Sequence, residues 1–264
     1  MDIGLKGKRA LVTGSTAGIG FATAHALAAE VPLIRVNGRT MERVDAALKG
    51  LRQVIGDVKV DGISECRSTK AGRETFLGQL PDVDVLVNNI GIFEPKPFNE
   101  IPGEDWMQFF ETNDHRGVRL LRHNVKGMRS RNRGRIVFVS SQFELQIPTE
   151  MVHYRVTKTA HFAVARGLAE ALSSTAVTVN SVLPGPTASE CVGGFVTQMA
   201  KNRGVDVTTV EEEFFANPRP SSLLLRFDTT DETAAMTAYV SSAQASATTG
   251  AALRVGGGVV RTFA

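Results

Sequence analysis

Short runs of apolar residues alternate along the chain with longer stretches in which apolar and polar positions are mixed. The apolar runs predict strands, and several have almost no polar interruption, as in Val-Asp-Val-Leu-Val-Asn over 83–88. Such continuous runs are typical of strands that helices cover on both faces of a parallel sheet. The predicted strands span 9–13, 33–37, 59–64, 83–88, 135–140, 177–183 and 251–255.

The mixed stretches between these strands predict amphipathic helices over 18–30, 41–53, 104–131 and 154–173. Strands that alternate with helices indicate an α/β protein in which right-handed crossovers join parallel strands. We therefore predict one doubly wound parallel sheet of about seven strands with helices on both faces.

The 264 residues contain no internal repeat and no long linker, so we expect a single domain over 1–264. The stretch 184–227 has no strand pattern and carries four prolines. Insertions of this length in a compact domain often form lids, so we predict a substrate lid there.

The composition argues against nucleic-acid-binding, membrane-spanning and disulfide-rich proteins. Hydrophobic residues make up 42% of the chain and the formal net charge is only +3, which argues against a nucleic-acid-binding protein. No apolar run reaches the length of a membrane span, and two cysteines, Cys66 and Cys191, cannot build a disulfide framework. We expect a cytoplasmic protein with no membrane or nucleic-acid partner.

A glycine-rich turn lies between the first predicted strand and the first predicted helix, with Gly14, Gly18 and Gly20 in the spacing Gly-x-x-x-Gly-x-Gly. Glycines there permit a sharp turn and close approach of a pyrophosphate, which the helix N-terminus then attracts. The alternative is a plain tight turn. The strand-turn-helix context favours dinucleotide binding.

The end of the second strand bears on the choice of dinucleotide. An acid in this region binds the ribose of NAD, whereas an arginine accommodates the 2′-phosphate of NADP. The stretch 36–40 has no carboxylate but contains Arg39, whose guanidinium suits a phosphate. NADP(H) is therefore favoured and NAD(H) stays possible, the alternative being that Arg39 is merely solvated.

Tyr154 and Lys158 are spaced i, i+4, so they share one face of a predicted helix. A nearby ammonium favours the phenolate, and such a pair can exchange a proton with an alcohol or carbonyl oxygen. Ser140 and Ser141 end a predicted strand, where ligands bind in open α/β sheets.

Asn113 falls on the apolar half of the predicted helix over 104–131, where a buried amide needs partners and a structural or relay role is plausible. The opposite half is basic. A solvated face or a subunit interface explains this stripe better than nucleic-acid binding. Its members on the helix are Arg116, Arg119, Arg122, Lys126 and Arg129.

Taken together, these motifs resemble the short-chain dehydrogenase/reductase family, in its compact form with a Rossmann-like sheet, and 3-oxoacyl-carrier-protein reductases in particular. The resemblance covers nearly the whole chain. It also includes Asn88-Asn-Ile-Gly91, Pro184-Gly185 and a glycine-rich end at 254–258. Tyr154 follows Ser141 by 13 residues, the usual interval in the family, so we choose Ser141 over Ser140.

The resemblance implies a catalytic tetrad and no metal. Tyr154 would be the acid/base, Lys158 would lower its pKa and bind the nicotinamide ribose, Ser141 would hold the substrate oxygen, and Asn113 would fix a relay water. Expected cofactor contacts are Gly14, Ser15, Thr16, Gly18, Ile19, Gly20, Arg39, Asn89, Gly91, Tyr154, Lys158, Pro184, Gly185 and Thr187.

The implied substrate is a small carbonyl compound or secondary alcohol. The implied assembly is a homotetramer, or a homodimer, formed through the helices predicted over 104–131 and 154–173. Two other classes compete: a dehalogenating lyase, whose relatives have arginine in place of Lys158 and lack the glycine loop, and a non-catalytic dinucleotide sensor, which tends to lose the tyrosine.

The chain departs from the family at several positions that bear on cofactor affinity, and none of them removes a tetrad residue. Cys66 stands near the position of an adenine-binding acid, Ile90 replaces an alanine and Gly256 replaces an aspartate. Val31-Pro32 replaces a glycine-containing turn, and Asp114-His-Arg116 replaces apolar or small residues.

Overall fold

The computed structural model describes residues 3–55, 59–64, 77–78, 80, 82–142 and 149–262. Its centre is a sheet of seven parallel strands in the order β3-β2-β1-β4-β5-β6-β7, which confirms the predicted doubly wound α/β fold. The strands are β1 (Arg9–Val12), β2 (Leu33–Gly38), β3 (Lys59–Ser64), β4 (Val85–Asn88), β5 (Gly134–Val139), β6 (Val177–Pro184) and β7 (Ala252–Val255).

Helices connect the strands and cover both faces of the sheet. They are α1 (Gly18–Ala28), α2 (Met41–Ile55), α3 (Gly103–Phe109), α4 (Arg116–Ser130), α5 (Val152–Ala171), α6 (Glu190–Arg203), α7 (Val207–Ala216) and α8 (Thr230–Ser241). Short 3₁₀ turns occupy Phe98–Glu100 and Thr149–Met151.

The predicted helical stretch over 104–131 is confirmed as continuously helical from Gly103 to Ser130, but its winding is not uniformly α. A π-helical segment, Phe110–His115, separates α3 from α4, and it carries Asn113. A π-helical turn changes which side chains share a face, and such turns are frequent at functional sites. The interruption therefore falls at the segment that presents the predicted relay residue.

Successive residues of each strand pack into two separate hydrophobic cores, because side chains alternate across a sheet. In β4, Val85 and Val87 join the core under α1, α2 and α8, whereas Leu86 joins the core that includes Leu120 and Leu121 of α4. Burial on both faces explains why the strands appear in the sequence as nearly uninterrupted apolar runs.

The order of the strands reverses direction between β1 and β4, which pair side by side in the middle of the sheet. Ligands bind in open α/β sheets outside the carboxyl ends of the strands at such a switch point. The glycine-rich turn follows β1. Asn88 is the last residue of β4 and Asn89 follows it, so both motifs lie at this crevice.

The segment predicted as a lid contains α6 and α7. Val196, Ala200 and Val210 form a small core of their own, separate from the two cores of the sheet. Thr187 and Asp228 form an isolated parallel bridge that ties the two ends of this segment together. Among the described residues, no helix is long and apolar enough to cross a membrane.

Candidate active site

The glycine-rich turn has the backbone that its sequence predicts. Gly14 and Gly18 lie in the left-handed region, with φ of +60° and +55°, where glycine avoids the steric cost that other residues meet. A side chain at Gly20 would collide with the carbonyl oxygen of Gly14. The turn thus brings bare backbone to the start of α1.

Ser15 fastens this turn to the second strand. Its hydroxyl donates to Val12 O (2.7 Å) and accepts from Asn37 N (3.0 Å), while its own N–H donates to Asn37 O (2.9 Å). Both polar groups that Ser15 could offer a cofactor are therefore engaged with the protein. These hydrogen bonds hold the loop, and the predicted cofactor contact of Ser15 stays a prediction.

Asn89 and Thr13 join the turn to β4. The Thr13 hydroxyl accepts from Asn89 N (2.9 Å), and the Asn89 amide donates to Thr13 O (3.1 Å) and Gly14 O (3.2 Å). Ile90 packs beside the turn, with Cγ1 3.4 Å from where a side chain at Gly14 would begin. The β1 and β4 loops therefore form one rigid floor for a ligand.

The N-terminus of α1 is open to an anion. No side chain caps it, and its first turn contains no acidic residue. The first N–H groups of a helix have no partner within it and carry the positive end of its dipole, so they suit a phosphate. Together with the bare turn, this fits a dinucleotide pyrophosphate.

The end of β2 holds Gly38 and the exposed Arg39. A side chain at Gly38 would collide with the Thr16 methyl group and come within 3.0 Å of Val44 Cγ2. A carboxylate at position 38 would therefore need the Thr16 side chain to move. The predicted contacts Thr16 and Arg39 both lie at this edge of the crevice.

Tyr154 and Lys158 lie one turn apart near the start of α5, with Lys158 Nζ 5.8 Å from the centre of the Tyr154 ring. Lys158 is buried, and its ammonium donates to Val139 O (3.0 Å) at the end of β5. Gly91 leaves room beside this group, since a Cβ there would stand 3.5 Å from Nζ. The ammonium is thereby fixed near the phenol.

The two serines that follow β5 differ in their surroundings. The Ser140 hydroxyl donates to Lys158 O (3.1 Å), and Ser140 N donates to Val182 O (2.8 Å). Ser140 therefore joins β5 to α5 and β6. Ser141 is equally buried, and its choice as the residue that faces a substrate stays a prediction.

Asn113 is buried and fully engaged. Its amide accepts from Ile92 N (2.7 Å) and donates to Ile92 O (3.0 Å) and the Thr157 hydroxyl (3.0 Å). Thr157 in turn donates to Tyr154 O (2.6 Å). The π-helical segment thus braces both the loop after β4 and the turn of α5 that carries Tyr154.

Sequence reasoning missed His161, which lies one turn beyond Lys158 and is 1% exposed. Its Nε2 hydrogen-bonds to the main-chain carbonyl of Asn113. Burial, and secondly the Lys158 charge, lower the pKa of His161 to about 3, so the ring is neutral and Nε2–H is the donor. Its i+3 spacing from Lys158 was the available signal.

The glycine and proline region after β6 lies beside the strand ends. Gly185 N donates to Val255 O (2.8 Å), and Thr187 turns its hydroxyl back onto Gly185 O (3.0 Å). Pro184 ends β6 and pairs with Val255 of β7. The predicted nicotinamide-lining residues therefore form one compact wall at the carboxyl edge of the sheet.

The positions at which the chain departs from the family pattern can be located only in part, because some lie outside the described residues. Residues 65–67, including Cys66, lie outside the described residues. Asp114 is buried, and burial raises the pKa of its carboxyl. His153, which precedes Tyr154, packs its ring 4.1 Å from that of Phe109, so it belongs to the protein interior.

The basic stripe continues beyond the helix through Arg131, Arg133 and Arg135, and part of it is paired within the protein. Arg119 binds Glu111 through two hydrogen bonds, Arg131 binds Asp82 at 2.7 Å, and Arg133 binds Asp84 at 2.6 Å. Each of these three arginines is neutralised by a carboxylate of the same chain, as is common on the surface of a folded domain.

Comparison with known proteins agrees with this geometry. A family model described as short chain dehydrogenase matches residues 8–200. Two uncharacterized oxidoreductases of Bacillus subtilis (strain 168), YvaG and YvrD, are 38% and 39% identical, with at least 99% of each chain covered. The crystal structure of L-sorbose reductase from Gluconobacter frateurii, complexed with NADPH and L-sorbose, superimposes with a TM-score of 0.92 at 28% identity, with both chains covered completely.

The matched region includes both the glycine-rich turn and the Tyr154–Lys158 pair. The match extends to dehydrogenases and reductases that act on alcohol or carbonyl groups. The chain therefore belongs to the short-chain dehydrogenase family and is an oxidoreductase that uses a nicotinamide dinucleotide.

Proposed function

We propose that the protein uses NADPH to reduce a ketone to a secondary alcohol, with Tyr154 as the acid, Lys158 as its electrostatic partner and Ser141 as the substrate-binding hydroxyl. The observation that carries this proposal is the fixed position of the Lys158 ammonium, 5.8 Å from the Tyr154 ring at the carboxyl edge of the sheet. A nearby cation stabilises the phenolate that remains after the proton has left.

NADPH, when bound, would supply the hydride that the carbonyl carbon accepts. The open N-terminus of α1 and the residues Gly14, Gly18 and Gly20 would hold its pyrophosphate. Gly91 and Lys158 would adjoin its nicotinamide ribose, and Pro184, Gly185 and Thr187 would line the nicotinamide.

The chain's own residues manage the proton. Tyr154 donates its hydroxyl proton to the carbonyl oxygen, and Ser141 donates a hydrogen bond to the same oxygen. Asn113 keeps the Tyr154 turn in place through Thr157. In the opposite direction, the phenolate accepts the proton of the alcohol.

Preference for NADPH over NADH is supported by two features of β2. Arg39 is exposed at the end of this strand, where its fork can bind a phosphate. Gly38 has no room for a carboxylate without a shift of Thr16. An acid that would bind the ribose of NADH and repel a phosphate is absent from the described end of this strand.

We also propose a homotetramer assembled through α4 and α5. Val156 and Phe162 are exposed on α5, and nothing lies within 4 Å of where a side chain at Gly167 would begin. Small and apolar residues on an open helix face suit close packing against a second helix.

The cytoplasmic location stays a prediction, made from the small number of cysteines.

The test of the proposed function is a substrate screen. Purified protein is mixed with NADPH and a panel of ketones, and with NADP⁺ and the matching alcohols, and absorbance of the reduced cofactor is followed. We expect turnover of at least one ketone–alcohol pair. Tight cofactor binding without turnover of any pair would favour a dinucleotide sensor.

A further inference from the structure

A cavity of about 370 Å³ lies at the carboxyl end of β7, beside the proposed active site. It is large enough for part of a small molecule. Its polar lining comes from Gln142, Asp228, Glu232 and Arg254, and the glycine-rich stretch 256–258 forms much of the rest of its wall.

Two polar side chains in this lining are buried without a partner. Gln142 is 1% exposed and Asp228 is 3% exposed, yet Gln142 Nε2 and Asp228 Oδ2 meet no hydrogen-bond partner among the described residues. Buried polar atoms normally have a hydrogen-bond partner, so these two atoms are expected to bind a ligand or ordered solvent. One atom is a donor and the other an acceptor.

Both atoms lie close to Gly185, which packs against Gly256, since a side chain at Gly185 would begin 2.5 Å from Gly256 Cα. A side chain at Gly185 would begin 2.8 Å from Gln142 Nε2 and 3.0 Å from Asp228 Oδ2. Glycine at 185 therefore lets the donor and the acceptor converge. Gly185 belongs to the wall that would line the nicotinamide, and Gln142 directly follows Ser141 in the chain.

Gly256 explains why Gln142 points this way. A Cβ at position 256 would collide with Gln142 Oε1 and come within 2.7 Å of its Cδ. The amide thus occupies space that the aspartate usual in the family would fill. The departure at Gly256 and the buried amide of Gln142 are two parts of one arrangement.

We propose that this cavity binds a hydroxyl group of the substrate, and that the substrate is a polyhydroxylated ketone or the corresponding polyol. The inference rests on the proposed function. A hydroxyl oxygen can accept from Gln142 Nε2 and donate to Asp228 Oδ2 at the same time. A carboxylate ligand has no proton to donate to Asp228 Oδ2, while an alkyl group would leave both buried atoms unpaired.

The charge of Asp228 fits this role. Burial, with a smaller contribution from Glu232 and against the opposing charge of Arg226, raises the pKa of Asp228 to about 6. At neutral pH the carboxyl is therefore mostly ionised and accepts a hydrogen bond. Arg254 is the cation in the lining of the cavity, and its guanidinium donates a hydrogen bond to Thr262 O (2.7 Å).

The test compares two six-carbon ketones, a ketohexose and 2-hexanone, by kcat/KM with NADPH. We expect the wild type to prefer the ketohexose by about tenfold or more, because a site built for a hydroxyl rejects the analogue that lacks it. Gln142→Met and Asp228→Leu should each lower that ratio. Gln198→Met, an exposed change on α6, is the matched control and should not.

A second readout keeps the two proposals separate. The rise in Tm on adding sorbitol in the presence of NADP⁺ should be larger for the wild type than for Gln142→Met, since general stabilisation by polyols is the same in both. Turnover of ketones with no preference, or equal rises in Tm, would show that the cavity holds only solvent. Absence of turnover with a retained Tm difference would overturn the proposed function but not the hydroxyl site.

Discussion

The imidazole of His161 donates a hydrogen bond to the main-chain carbonyl of Asn113, linking α5 to the π-helical segment that bears the relay residue. Both residues are buried, at 1% and 2% exposure. The contact ties the segment after α3 to the helix that carries Tyr154 and Lys158, so the acid/base pair and Asn113 are positioned as one unit.

Stability should fall as the pH drops because His161 must stay neutral in the folded protein. Its folded pKa is about 3, well below the unfolded value near 6.5, so the unfolded state binds the additional proton between these values. The contribution is complete above pH ~6.5 and is lost progressively toward pH ~3, by at most ~1.4 kcal/mol per pH unit.

Urea unfolding between neutral pH and pH ~4.5 checks this expectation for wild type and for His161→Gln, which keeps a donor but does not titrate. The variant should lose less stability on acidification. His123→Gln, an exposed change on α4, serves as the control. Identical pH dependence in wild type and His161→Gln would mean that the His161 ring does not titrate as proposed.

Arg39 should determine the cofactor preference. Charge-assisted hydrogen bonds contribute ~1.5–3 kcal/mol each, and exposure reduces this, so we expect NADPH to be preferred roughly tenfold to a hundredfold in kcat/KM. Arg39→Leu should bring the ratio close to one. Lys49→Leu removes an equal charge from the exposed face of α2 and should leave it unchanged.

A wild type that prefers NADH would contradict this assignment. Adding Gly38→Asp to Arg39→Leu should shift preference further toward NADH, but the collision with Thr16 predicts weaker binding of both cofactors. The ratio of the two kcat/KM values therefore reports specificity, and the absolute values report the effect of displacing the Thr16 side chain.

The segment over 184–227 should open more readily than the sheet when no cofactor is bound, because α6 and α7 pack mainly on their own small core. Amide hydrogen exchange in α6 and α7 should slow by about tenfold or more on adding NADPH, the effect of ~1.4 kcal/mol of local stability. Equal protection with and without cofactor would indicate a fixed wall instead of a lid.

Light scattering should find a tetramer at micromolar concentration. Gly167→Arg should dissociate it, because the position is open within one chain but would be covered in the proposed interface. Gly193→Arg, also at an open helical position, is the control and should remain assembled. A stable wild-type monomer would refute the assembly.

The sheet was predictable because burial on both faces leaves strong apolar runs, such as 83–88. Helix α8 was not, since its composition is nearly uniform around the helix, although Thr229 and Glu232 form a capping box that marks its start. The π-helical segment was missed because a single helical period cannot reveal a local change of winding.

The tetrad positions followed from spacing and resemblance, but the Gln142–Asp228 site could not. The two residues are far apart in sequence, and only the approach of the chain after β6 to the glycine-rich stretch after β7 brings them together. Neither residue type carries a pattern of its own. The inward role of Ser15 likewise depends on Asn37, which lies on another strand.

Tyr154 is the proton donor in the proposed reaction, and its hydroxyl is the group that this reaction requires most directly. The chain has two tyrosines, and Tyr239, exposed on α8, provides a matched control. With a ketone found in the screen, Tyr154→Phe should lower kcat by about 10² or more while NADPH still binds, and Tyr239→Phe should behave as wild type. Near-normal kcat in Tyr154→Phe would contradict the account.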